Sequence, residues 1–249
     1  MNPAGFLSTM GHAHPVLAML HLKGTSPADR FDRARREIAT LWEGGVDAVI
    51  VENYFGDGDD VVAVCDYLRS DARDVVFGVN VLEDDWRAFS IANEFGARFI
   101  QLDSVAGHLP EGEDRDFAAR LAEERSATDA YVLGGVRFKY QPHLSGRSLD
   151  EDLRRGVGRC DGIVVTGEGT GRVTPLSRLE EFRSIVGPTT PLIVGAGVTP
   201  QNCALQLAVA DAAIVGSSLK GNLTAEGDVD RDRVRELVGA VRALWGPSR

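Results

Sequence analysis

Short apolar runs alternate with amphipathic helical stretches eight times along this chain of 249 residues. The runs carry no polar alternation, which is typical of strands buried on both faces of a sheet. Strands that alternate with helices predict a parallel sheet covered by helices. We predict the eight strands at residues 16–20, 47–51, 75–79, 98–102, 130–138, 162–165, 192–194 and 212–215.

The length of the chain matches one closed barrel of eight strand-helix units, and no internal linker interrupts it. We therefore predict the α/β class, with a single (β/α)8 TIM barrel over residues 15–249 and a flexible N-terminal lead-in over residues 1–14. An open doubly wound sheet is the alternative. The eight units, together with the glycine turns described next, favour the closed barrel.

Two glycine-bearing turns follow the last two predicted strands. Glycine lets a backbone approach a ligand closely, and the amides of the following turn can point at a phosphate. In (β/α)8 barrels the loops after strands 7 and 8 are the usual phosphate site. The turns predict phosphate binding by Gly195, Ala196, Gly197, Gly216, Ser217 and Ser218.

Polar residues stand where the predicted strands end, and the C-terminal ends of parallel strands meet at one face. A carboxylate held beside a lysine there has a shifted pKa, as acid-base catalysis requires. Each group also has a structural interpretation, as a loop cap, an ion pair or a packed histidine. The candidate catalytic residues are Glu52, Asp103, Lys139 and His21, and the candidate substrate-binding residues are Asn53, Asn80, Gln101, Thr166, Gly167 and Thr170.

The segment 166–171 is rich in glycine and hydroxyl groups and follows the sixth predicted strand. It is predicted to close over a substrate as a lid or to hold a phosphate through its amides, and an ordinary mobile loop is the alternative. It is not a P-loop, because no Lys-Ser or Lys-Thr pair follows at the required spacing.

Composition excludes several classes of function. A net charge of −10 and a pI of about 5.0 argue against a nucleic-acid surface. No apolar run reaches about 18 residues, so we predict no membrane span. The three cysteines lie far apart, which indicates neither a disulfide framework nor a zinc site and favours the cytoplasm. No histidine pair has metal-ligand spacing, so no cofactor is predicted; Mg²⁺ or Mn²⁺ on carboxylates and substrate oxygens stays an alternative.

Six segments together resemble the BtpA family (BtpA/SgcQ), a barrel group named for a cyanobacterial protein needed for photosystem I accumulation. They are PVLAMLHL at 15–22, GGVDAVIVEN at 44–53, GVNVL at 78–82, VTGEGTG at 165–171, GAGVT at 195–199 and IVGSSLK at 214–220. The resemblance implies the barrel fold and places the family's motif positions on His21, Glu52, Asn53, Asn80, Thr166, Gly167, Thr170, Gly171, Gly195, Gly197, Gly216, Ser217 and Lys220.

The chain also departs from that family. Gln101 and Asp103 stand where the family usually has an Arg and an Asn, and Lys139-Tyr140 stands where it has a Lys-His pair. The resemblance therefore implies a pocket that differs from that of typical members. The family name records a phenotype and supplies no reaction.

The residues and the resemblance lead to two functions of different classes. The first is an enzyme acting on a phosphorylated sugar or nucleotide-like metabolite, an isomerase, a lyase or an enzyme of glycosidic-bond chemistry, with acid-base groups at the C-terminal barrel face. The second is a non-catalytic assembly or ligand-sensing factor for a membrane complex. A metal-dependent hydrolase is a third option, which the lack of a histidine cluster weakens. The expected partner is a phosphorylated small molecule, and homo-oligomerisation is an open alternative.

Overall fold

The structure is a computed structural model and describes residues 4–244. Eight parallel strands pair in chain order, and β1 pairs with β8 to close the barrel. The predicted (β/α)8 fold is confirmed. The strands are β1 Val16–Leu20, β2 Ala48–Glu52, β3 Phe77–Asn80, β4 Phe99–Ala106, β5 Tyr131–Val136, β6 Gly162–Val165, β7 Leu192–Val194 and β8 Ala212–Val215.

The helices begin at polar caps that the sequence carries. Ser26 lies before the first long helix, where its hydroxyl accepts a hydrogen bond from the amide of Asp29 and Pro27 occupies the first turn. The helices are α1 Ala4–Ser8, α2 Pro27–Glu43, α3 Gly58–Ser70, α4 Asp85–Phe95, α5 Glu111–Ser126, α6 Leu149–Val157, α7 Leu176–Val186, α8 Cys203–Leu207 and α9 Arg231–Ala243, with a 3-10 turn at Ser217–Leu219.

Strands β2 and β3 are shifted by one or two residues from their predicted ranges, and β4 and β5 depart further. The strand predicted at 98–102 continues to Ala106, and its register with β5 shifts after Leu102. A Cβ at Gly135 would lie 2.1 Å from the carbonyl oxygen of Asp103, so only glycine lets the two backbones approach there. The irregularity places Asp103 inside β4 rather than after its end.

The N-terminal segment packs against the barrel at the N-terminal ends of its strands. Phe6 of α1 is fully buried, and its ring lies 5.6 Å from the ring of Phe99 and 5.8 Å from that of Tyr131. Both partners are first residues of strands, so Phe6 covers the N-terminal end of the barrel. This packing is not what we expected of a flexible lead-in, and residues 1–3 of that lead-in lie outside the described residues.

Two layers of apolar side chains position the site. One fills the space between the sheet and the helices, and the other fills the barrel interior with residues such as Leu17, Phe99, Leu133 and Ile193. The strand ends are therefore held rigidly from both sides. Between residues 4 and 244, none of the helices has the length and hydropathy that crossing a membrane requires.

Candidate active site

A cavity of about 450 Å³ opens at the C-terminal end of the barrel. All four candidate catalytic residues line it, although they lie on four different strand ends or loops. So do eight of the other predicted site residues, namely Gln101, Thr170, Gly195, Ala196, Gly197, Gly216, Ser217 and Ser218.

The side chain of Asn80 lies between two carboxyl groups and donates hydrogen bonds to both. Its side-chain amide nitrogen donates to Oε1 of Glu52 at 3.1 Å and to Oδ1 of Asp103 at 3.3 Å. The other oxygen of Glu52, Oε2, lies 3.6 Å from Nε2 of His21, which is contact distance but longer than a hydrogen bond. The four side chains form a chain across β1, β2, β3 and β4, and we call it the acid cluster.

Burial determines the protonation of the acid cluster. It raises the pKa of Glu52 to about 8, reinforced by the charge of Asp103 and opposed by Lys139 and Asn80. It also raises the pKa of Asp103, again against Asn80 and Lys139. Burial, with the positive charges of Lys220 and Lys139, lowers the pKa of His21 to about 3. At neutral pH the cluster therefore holds a protonated Glu52 beside a neutral His21.

Lys139 links the acid cluster to the loop after β6. Its ammonium donates to the hydroxyl of Thr170 at 3.2 Å, and its backbone amide donates to the hydroxyl of Thr166 at 3.0 Å. The phenol oxygen of Tyr140 accepts a hydrogen bond from the amide of Thr170 at 2.9 Å. These hydrogen bonds hold the loop beside the cavity, which Thr170 and Gly171 line.

The glycines of the two turns have packing reasons that the sequence did not reveal. Gly197 has a φ of +69°, and a Cβ there would lie 2.4 Å from Cα of Val173 in the loop after β6. A Cβ at Gly216 would lie 3.1 Å from Cε1 of His21. The amide of Gly195 is already engaged by the carbonyl of Val165 at 2.7 Å.

Other amides of these turns remain available. The backbone N–H groups of Ala196, Gly197, Ser217 and Ser218 donate no hydrogen bond within residues 4–244. Ala196 and Ser217 are nevertheless buried, and buried N–H groups in folded proteins almost always have a partner. A ligand with several acceptor oxygens would supply these partners.

Four predicted substrate-binding residues do not line the cavity. Asn80 lies behind the carboxyl groups that it binds. Asn53 accepts from the amide of Leu82 at 2.7 Å and so fixes the loop after β3. Thr166 binds the backbone of Lys139, and Gly167 packs under the carbonyl of Val173. These residues position their neighbours.

Several lining residues were missed, among them Tyr54, Glu83, Tyr140, Gln141 and Leu223. Glu83, Tyr140 and Leu223 have positive φ angles of 68°, 64° and 61°, a conformation that costs energy for residues other than glycine and clusters at functional sites. Nothing in a single sequence marks such a residue. Tyr54 and Tyr140 directly follow predicted site residues, and this adjacency was the one available signal.

A buried ion pair lies behind the cavity. Nζ of Lys220 lies 3.2 Å from Oε2 of Glu37, and both side chains are nearly inaccessible to solvent. Burial lowers the pKa of Lys220 and the charge of Glu37 opposes this effect. Among residues 4–244, no group of three His, Cys, Asp or Glu side chains is placed to hold a metal ion.

These features define a (β/α)8-barrel protein with buried titratable groups and unpaired amides at the C-terminal face, the face that carries the active site in barrel enzymes. The model of the BtpA family matches residues 12–243, and the chain belongs to that family.

Relatives and solved structures agree with this placement. An uncharacterized protein of Thermococcus kodakarensis is 31% identical over 92% of this chain and 96% of its own. The photosystem I biogenesis protein BtpA of Synechocystis is 28% identical over 92% of this chain and 88% of its own. A thiamine phosphate pyrophosphorylase from Pyrococcus furiosus covers 96% of this chain and 100% of its own, with a TM-score of 0.65 at 15% identity, which is a likeness of fold alone.

Proposed function

We propose that the protein is an enzyme that acts on a phosphorylated sugar or nucleotide-like metabolite by acid-base catalysis. One observation carries the proposal. A carboxyl group whose pKa of about 8 suits a proton donor at neutral pH, Glu52, lines the same cavity as the unpaired amides of the glycine turns.

The two parts of the cavity have different tasks. The phosphate binds the amides of Ala196, Gly197, Ser217 and Ser218, which gives the ligand a fixed anchor remote from the reacting bond. Anchoring of this kind places the reacting carbon near the acid cluster and removes much of the entropic cost of reaching the transition state.

Within the acid cluster, Glu52 donates a proton to the oxygen of the bond that breaks or of the carbonyl that is enolised. Asp103, held by Asn80 in a fixed relation to Glu52, accepts a proton from the substrate. The ammonium of Lys139, beside both carboxyl groups, stabilises negative charge that develops on oxygen. This chemistry serves isomerisation, lyase and glycosidic-bond reactions.

A thermal-shift screen tests the proposal with phosphorylated sugars and nucleotides, each paired with its dephosphorylated counterpart. We expect stabilisation by phosphorylated members only, turnover of a stabilising compound by the wild type, and no turnover by Glu52→Gln. Equal shifts within every pair, or full turnover by Glu52→Gln, would refute the assignment.

A second function, assembly of a membrane complex, is favoured by the name of the Synechocystis relative. The exposed apolar side chains of Tyr140, Val173 and Leu223 on loops around the cavity mouth would suit a protein contact. The test uses a strain from which the gene for this protein has been deleted. An assembly role predicts that Glu52→Gln restores the function lost in that strain and that Tyr140→Ser does not. An enzymatic role predicts that Glu52→Gln fails.

A further inference from the structure

A second cavity of about 290 Å³ adjoins the first, between the loop after β3 and the loop after β4. Four residues line both cavities, namely Leu82, Glu83, Asp103 and Gln141. Asp103 therefore stands at the junction, with the acid cluster on one side and the second cavity on the other. A ligand in the second cavity lies next to a group that we place in the reaction.

The second cavity is acidic and has no cationic side chain in its described lining. Asp84, Asp85 and Asp103 all line it. Asp84 caps α4 by accepting from the amide of Arg87, whereas the carboxyl group of Asp85 makes no hydrogen bond or salt bridge within residues 4–244. Burial, together with the charges of Asp103 and Asp84, raises the pKa of Asp85 to about 7. A positive charge brought by a ligand would favour the ionised carboxylates.

Two buried polar atoms in the same lining have no partner in the described part of the chain. Ser104 is 3% exposed, and its hydroxyl makes no hydrogen bond. Nδ1 of His108 is likewise buried and unpaired. Burial lowers the pKa of His108 to about 4, so its ring is neutral at pH 7. The ring packs nearly perpendicular to the ring of Phe117, with the two centroids 5.0 Å apart. Buried polar groups in folded proteins normally have a partner, and a bound ligand would supply it here.

The remaining wall is aromatic. Trp86 and Phe117 line the cavity, and their rings lie 5.4 Å apart. The guanidinium of Arg120 stacks on the Trp86 ring at 4.1 Å, but Arg120 does not line the cavity. Carboxylates, hydrogen-bonding groups and aromatic rings around one small space are the features that bind an organic ammonium group.

We propose that the second cavity binds the ammonium-bearing part of a second reactant or leaving group, because Asp85, Asp103, Ser104 and His108 meet there beside aromatic rings and no cationic side chain of the described residues lines the cavity. The role as reactant or leaving group rests on the proposed function: the phosphorylated part occupies the first cavity, the amine-bearing part occupies the second, and Asp103 lies between them.

Two probes test binding in each cavity separately by ¹H-¹⁵N NMR on the whole protein. Benzylammonium reports on the second cavity through the indole resonance of Trp86, assigned with Trp86→Phe, and benzyl alcohol is its uncharged counterpart. Inorganic phosphate reports on the first cavity through the amides of Gly197 and Ser217. If phosphate binds and benzylammonium does not, only the proposal for the second cavity is refuted. If benzylammonium binds and phosphate does not, only the phosphate site of the proposed function is refuted.

We expect benzylammonium to shift the Trp86 resonance saturably and to bind about tenfold more tightly than benzyl alcohol, as one charged hydrogen bond allows. Asp85→Asn should weaken it about tenfold and Ser104→Ala about threefold. Asp66→Asn, which removes an exposed carboxylate of α3, should leave binding unchanged. Equal affinity for amine and alcohol, absence of any Trp86 shift, or wild-type affinity in both folded cavity variants would overturn the proposal.

Discussion

Replacing Glu52 by glutamine should stabilise the folded protein at neutral pH. The carboxyl group is buried, and its pKa is about 8 in the folded chain against the ordinary value of 4.5. Glutamine keeps the shape and the oxygen that accepts from Asn80, but it has no proton to lose. The variant therefore removes an ionisation that opposes folding.

The size of the effect follows from proton linkage. Below pH 4.5 the carboxyl group is protonated in both the folded and the unfolded chain, and its contribution to the free energy of unfolding is fully present. This contribution is lost as pH rises from 4.5 towards the folded pKa of about 8. In this window each pH unit costs about 1.4 kcal/mol, because the unfolded chain ionises and the folded chain does not. The advantage of Glu52→Gln at pH 7 is then about 3 kcal/mol at most.

Urea unfolding at pH 5, 6, 7, 8 and 9 measures this advantage directly. The difference in unfolding free energy between Glu52→Gln and the wild type should grow with pH and level off above pH 8. Glu236→Gln, an exposed position on α9, is the matched control and should show no such growth. A pH-independent difference for Glu52→Gln would refute a buried, protonated Glu52.

Two further substitutions test the framework around the cavity. Gly197→Ala should destabilise the protein by about 2 kcal/mol more than Gly146→Ala. Both glycines have a positive φ, but only at Gly197 would a Cβ lie against Val173. The melting temperatures of the two variants give the comparison, and equal values would contradict the packing argument. Lys220→Met should cost about 2 kcal/mol, because the buried Glu37 loses one of its two cationic partners and keeps only Arg33. Adding Glu37→Gln should recover part of the loss, and unfolding free energies without recovery would contradict the ion-pair account.

The barrel could be predicted because its strands are short apolar runs bounded by polar or turn-forming residues. The bounds of β1, β6, β7 and β8 agree with the sequence pattern. The pattern failed at β4, since Asp103 and Ser104 are polar residues that continue the strand. Their place depends on the close approach of β5 at Gly135, a contact between segments distant in sequence.

The meeting of Glu52, Asp103, Lys139 and His21 at one cavity followed from topology, because parallel strands end at one face. What the glycines and loops do could not be predicted in the same way. Gly197 and Gly216 make room for Val173 and for His21, which only the folded structure places beside them. The second cavity also required the structure, since it forms where loops from β3 and β4 meet a helix.

The most direct test of the proposed function is the position of phosphate in a crystal of the protein grown with a phosphorylated ligand from the thermal-shift screen. We predict phosphate oxygens within hydrogen-bond distance of the amides of Gly197 and Ser217, with the rest of the ligand directed towards Glu52 and Asp103. A ligand phosphate bound away from both turns, or a ligand that leaves Glu52 uncontacted, would contradict the account.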